Sequence, residues 1–161
     1  MHYNVYMSNN NIYKTTKTTV SLLNYHFVFC PRYRRKIFLI SNLEERFKQL
    51  VVEICNSMDV DVLALECDTD HVHLFISANP TQCPSKIIKE IKGITGRILR
   101  TEFAELQYMP NLWTRSYFVS TAGMVSSETI KNYVESQKKD SRGGSTKHGY
   151  IHIRATDSSS T

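Results

Sequence analysis

Residues 71–76, HVHLFI, constrain the fold of this chain more than any other segment. Side chains in a β-strand alternate between faces, so Val72, Leu74 and Ile76 fall on one side and His71, His73 and Phe75 on the other. The apolar trio must face a layer of helices. Two imidazoles then stand side by side on the opposite face of a sheet, which is expected to be open.

The neighbouring segments build that sheet. The run Val20 to Cys30, VSLLNYHFVFC, is β-branched and aromatic and is stopped by Pro31, the pattern of a strand buried on both faces. Ser41 to Met58 reads as a helix, with an S-x-x-E capping box from Ser41 and Glu44 and apolar residues at helical spacing. Val60 to Glu66 and His71 to Ser77 read as a hairpin across the polar Cys67 to Asp70. Pro84 opens a second helix reaching Phe103, with Ile87, Ile91, Ile94 and Ile98 as its expected buried stripe. A strand over Tyr117 to Thr121 and a last helix over Ser127 to Lys139 complete the pattern.

This order predicts an α+β fold: a ferredoxin-like (RRM-like) antiparallel sheet, helices on one face, and an appended C-terminal helix. The expected organisation is a flexible arm over 1–17, one domain over 18–140 and a disordered Ser/Gly/Thr-rich tail over 141–161. The four cysteines form no C-x-x-C pair, which argues against a zinc cluster or a secreted disulfide scaffold and favours the cytoplasm. No run approaches the roughly 18 to 20 apolar residues needed to span a bilayer, so no membrane association is expected.

A formal charge of +5 favours a polyanionic partner without proving one. Arg32, Tyr33, Arg34, Arg35 and Lys36 join charge to an aromatic ring on which an unpaired base can stack, although charge runs are usually solvated loops. Lys89, Lys92, Arg97 and Arg100 surround Gly93 and Gly96 in the second helix, where two glycines cost roughly 1 kcal/mol each relative to alanine. A close approach by a phosphate backbone would account for them. Lys138 and Lys139 add charge at the end of the last helix.

An H-x-H pair in a strand is, by itself, more often surface or packing histidine than a metal site. Tyr133 alone also reads as part of a buried stripe with Ile130, Val134 and Gln137. Gln137 fits that stripe badly, since a buried amide needs partners, whereas an amide oxygen can serve as a ligand. Two imidazoles and one amide oxygen would suit Mg²⁺ or Mn²⁺, which would polarise a phosphodiester for in-line attack. Tyr133, with an ordinary pKa of about 10, would need activation to act as a nucleophile.

Four segments, Tyr25 to Lys36 (YHFVFCPRYRRK), Asp70 to Ile76 (DHVHLFI), Leu112 to Gly123 (LWTRSYFVSTAG) and Asn132 to Gln137 (NYVESQ), together resemble the single-tyrosine HUH transposases, or TnpA family, of small insertion sequences. The resemblance covers roughly residues 13–139. It implies that His71, His73 and Gln137 bind a divalent metal, and that Tyr133 becomes joined to the 5′ phosphate of cleaved single-stranded DNA. It further implies hairpin-marked DNA ends as substrate and a homodimer with shared active sites, hinged near Gly123. The rival expectations are a domesticated HUH nickase acting on genomic palindromes and a non-catalytic, RRM-like nucleic-acid-binding module; DHVHLFI lacks the stacking aromatics of the latter.

Overall fold

The structure, a computed structural model, describes residues 13–122 and Asn132. A short antiparallel ribbon of β1 (Lys14–Thr15) and β2 (Val20–Ser21) leads into β3 (Leu23–Phe29). The chain continues through α1 (Leu43–Ser57), β4 (Asp61–Cys67), β5 (Val72–Ala78), α2 (Pro84–Glu102) and β6 (Phe118–Thr121). The strand read as continuous from Val20 to Cys30 is thus divided, because Val20 and Ser21 pair with Thr15 and Lys14 instead of joining the main sheet. Lys14 anchors the ribbon to β4 through Asp61, 2.9 Å away.

The main sheet has four antiparallel strands in the order β4-β5-β3-β6, the ferredoxin-like arrangement expected from two β-α-β halves. The central strand β5 pairs with β3 over its whole length, from Phe29 opposite Val72 to Leu23 opposite Ala78. Val72, Leu74 and Ile76 are fully buried in the main core with Phe27 and Phe29 of β3, Phe47 and Val51 of α1, and Ile87 and Ile91 of α2. The alternation read in HVHLFI therefore sets which side of the sheet the helices cover.

Three local expectations change. Helix α1 does not use the Ser41–Glu44 box, because Asn42 adopts a left-handed conformation (φ 63°) and the helix starts at Leu43. Ser41 then lies one residue too early to cap the first turn, and Glu44 pairs with Lys48 at 2.8 Å instead. On α2 the buried stripe is rotated from the isoleucine series: Ile87, Ile88, Ile91, Thr95, Gly96 and Leu99 are buried, whereas Ile94 and Ile98 are only partly so.

Gly96 is not a phosphate contact. A Cβ there would come within 3.4 Å of the Trp113 side chain, so the missing side chain seats the indole. Trp113 donates from Nε1 to Thr95 Oγ1 at 3.0 Å and meets Phe29 and Phe47 at 5.1 and 5.4 Å between ring centroids. At Gly93 a Cβ would meet nothing within 4 Å. Cys30, Cys55, Cys67 and Cys83 are all free thiols, and no described helix is long and apolar enough to cross a membrane.

Candidate metal and nucleic-acid site

On the side of the sheet away from the helices, β5 and the residue before it carry His71, His73 and Phe75. The His71 and His73 ring centroids are 5.0 Å apart, with planes at 76°. The face is less open than the alternation alone suggests, since His73, Phe75 and the neighbouring His26 are each 7% exposed or less. Their rings shield one another: His26 stacks on Phe75 at 4.1 Å and on His73 at 5.4 Å.

Each imidazole is held through its Nδ1. His71 Nδ1 is 2.9 Å from Asp70 Oδ1, and His73 Nδ1 is 3.1 Å from His26 Nε2. The second oxygen of Asp70 accepts from Arg34 Nε at 3.0 Å. Partial burial works against the Asp70 carboxylate, but the hydrogen bonds from His71 and Arg34 outweigh it and hold its pKa below the usual range. Burial, with the charge of neighbouring His71, lowers the His73 pKa to about 4 despite the opposing pull of Asp68 and Glu66. Burial and then His73 bring His26 to about 4 as well. Both rings are neutral near pH 7, the state in which an imidazole nitrogen can bind a cation.

Among the described residues, no three His, Cys, Asp or Glu side chains converge as a metal site. His71 and His73 would need a further donor. Gln137, Tyr133 and Lys138, with the helix expected over Ser127 to Lys139, the Gly123 joint and the tail over 141–161, lie outside the described residues.

The basic loop stands beside this pair. Its backbone is pinned by Arg32 N donating to Leu112 O at 2.8 Å and by a bridge between Pro31 and Trp113. Tyr33 and Arg34 both have positive φ, 60° and 49°, which turns the loop outward. Tyr33 is 75% exposed, with the Arg32 guanidinium 5.2 Å from its ring centroid. Arg35 spans Tyr33 and Tyr108, lying 5.0 Å from the second ring and donating to its hydroxyl. Arg35 and Lys36 also border a cleft of about 570 Å³ with Glu105 and Tyr108.

The cations of α2 divide differently from the sequence expectation. Lys89 and Arg97 are exposed, but on the helical side of the sheet, away from the imidazoles. Lys92 instead donates to the carbonyls of Arg115 and Ser116 at 3.3 and 3.1 Å, and burial lowers its pKa. Arg100 donates to the carbonyls of Gly96, Met109 and Pro110 at 2.8, 3.0 and 2.7 Å. These two side chains brace the loop before β6, because carbonyls left without donors by the chain reversal are the nearest acceptors.

The sequence reading missed His26, Asp70 and Tyr108. His26 was detectable as an imidazole at the start of the apolar run FVF, but only the β3–β5 register shows that it opposes Phe75 and adjoins His73.

The four-stranded ferredoxin-like sheet thus sets an imidazole pair next to a basic, aromatic loop. Residues 19–137 match the family described as Transposase IS200 like, and the chain belongs to that family. It is 30% identical over 118 residues to the ISDra2 transposase TnpA of Deinococcus radiodurans, covering 71% of this chain and 84% of that one. It is 28% identical over 123 residues to the transposase for insertion sequence element IS200 of Salmonella typhimurium, covering 74% and 80%. A crystal structure from Deinococcus radiodurans superposes with a TM-score of 0.63 at 28% identity, covering 77% of this chain and 97% of that one. The fold is also that of a REP-associated tyrosine transposase bound to a REP hairpin, with a TM-score of 0.52 at 11% identity over 76% of this chain and 68% of the other. As an IS200-like transposase, this chain is a DNA-cleaving and strand-transferring enzyme.

Proposed function

We propose that this transposase cuts and rejoins single-stranded DNA at hairpin-marked element ends through a 5′-phosphotyrosine formed on Tyr133. The observation that carries this reading is the His71 and His73 pair, each with Nδ1 already engaged, standing beside the Arg32 to Lys36 loop in a chain of the IS200-like family. With Nδ1 engaged, Nε2 is the nitrogen each ring would offer to Mg²⁺ or Mn²⁺, and nitrogen donors favour the second. Gln137 is proposed as the third donor. The bound cation would polarise the scissile phosphodiester and offset charge in the transition state.

The Tyr133 phenol loses its proton as its oxygen bonds to phosphorus. The 3′ oxygen leaves and takes up a proton, giving a free 3′-OH, and the reverse step lets such an end displace the tyrosine. Because the phosphodiester energy is kept in the covalent link, rejoining needs no nucleotide hydrolysis. Arg32, Arg34, Arg35 and Lys36 would grip backbone phosphates while Tyr33 receives an unpaired base. A homodimer, with the tyrosine helix of one subunit completing the other's site, belongs to the same proposal.

Incubating the protein with single-stranded hairpin DNA and Mn²⁺ is expected to give a denaturation-resistant protein–DNA adduct, which Tyr133→Phe should abolish. Binding without an adduct would favour a non-catalytic nucleic-acid module instead.

A further inference from the structure

Strand β3 brings a third imidazole to the pair. The register sets His26 opposite Phe75 and Val28 opposite His73, so His26 lies one position along the same face from His73. The His26 ring is nearly parallel to Phe75, at 2° and 4.1 Å, and inclined by 19° to His73. Stacked in this way and buried, the ring has little freedom to turn, and its Nε2 sits 3.1 Å from His73 Nδ1.

A hydrogen bond between two neutral imidazoles has two possible senses, and they are chemically opposite for His73. If His26 Nε2 donates, His73 carries its own proton on Nε2 and has no lone pair there. If His73 Nδ1 donates, its Nε2 keeps the lone pair that a cation needs. We infer that His26 is a positioning residue that accepts the His73 Nδ1 proton and so fixes His73 in the tautomer competent for metal. This rests on the metal site proposed above. The arrangement matches the Asp70 contact on His71, with an imidazole in the role of the carboxylate.

The test uses the full chain at pH 7.5. Long-range ¹H–¹⁵N spectra of the metal-free protein are expected to show His73 protonated on Nδ1. His26→Phe, which keeps a flat ring on Phe75 but cannot accept, should lose that tautomer and bind Mn²⁺ roughly 10- to 100-fold more weakly by paramagnetic titration. His26→Gln, whose side-chain oxygen can reach the place of Nε2, should restore both readouts to within a few-fold.

A wild-type His73 protonated on Nε2 would overturn the inference, and so would a His26→Phe chain with unchanged tautomer and affinity. Equal weakening by Phe and Gln would also overturn it, by assigning His26 to packing alone. If His26→Phe does not fold, the wild-type tautomer and the Gln variant still decide. A wild-type chain that binds no Mn²⁺ removes the metal reading and this inference together, whereas a wrong tautomer in a chain that binds Mn²⁺ removes only the inference.

Discussion

Asp70 Oδ1 lies 2.9 Å from His71 Nδ1, while the other oxygen of the same carboxylate is 3.0 Å from Arg34 Nε. One side chain thus ties an imidazole of the candidate metal pair to the basic loop. A carboxylate on Nδ1 orients the ring and raises the basicity of Nε2. Asp70→Ala is therefore expected to weaken Mn²⁺ binding roughly 10- to 100-fold and also to loosen hairpin binding as Arg34 loses its anchor. Titrations of metal and of labelled hairpin DNA check the two effects separately, and unchanged metal affinity would count against the orienting role.

His73→Ala, or chelation of the wild-type protein with EDTA, is expected to remove the covalent adduct while leaving most hairpin binding intact. The reason is that the phosphate and base contacts proposed for the basic loop would not pass through the imidazoles. A gel-shift assay beside the adduct assay tests this. Loss of binding in parallel with loss of adduct would show that the cation holds the DNA as well as activating it.

Acid should destabilise the metal-free protein well above the carboxylate range. His26 and His73 have folded pKa values of about 4, against an ordinary value near 6.5, so the unfolded chain takes up protons that the native state refuses. The group pKa is lowered on folding, hence stability is complete above about pH 6.5 and declines as pH falls from there towards 4. Asp70, held low as a carboxylate, adds its own loss only below that window. Urea midpoints at pH 7.5 and 5.0, with EDTA present, should differ by an amount on the order of a few kcal/mol. A flat profile between those values would contradict the burial of both rings.

Gly93→Ala is expected to raise stability by about 1 kcal/mol. A Cβ at that position meets nothing within 4 Å, so the helix gains propensity without a clash. Its effect on hairpin binding should be small, because Gly93 is on the helical side of the sheet. A fall in the urea midpoint, or a large loss of DNA affinity, would show that this glycine is kept free for a ligand.

The layout of the sheet was legible in the sequence because HVHLFI can satisfy only one assignment of faces, and Val72, Leu74 and Ile76 are indeed buried with the helices. The helices were legible from apolar spacing, but their exact faces were not. Thr95 and Gly96 enter the α2 interface because Trp113, distant in sequence, occupies the space they leave. The Ser41 cap failed for a similar reason, since one left-handed residue at Asn42 shifts the helix start. His26 and Asp70 could not be assigned from spacing, because their meaning depends on strand register and on a loop folded back beside His71.

The bracing of the pre-β6 loop by Lys92 and Arg100 changes how the overall charge should be understood. Two of the cations that make the chain basic on paper are consumed internally as struts, and neutralising either would register as a collapsing connection into β6 rather than as a shallower salt dependence of DNA binding. Within the described residues, the cations beside the imidazoles are then those of the Arg32 to Lys36 corner, whereas the exposed Lys89 and Arg97 of α2 face away on the helical side.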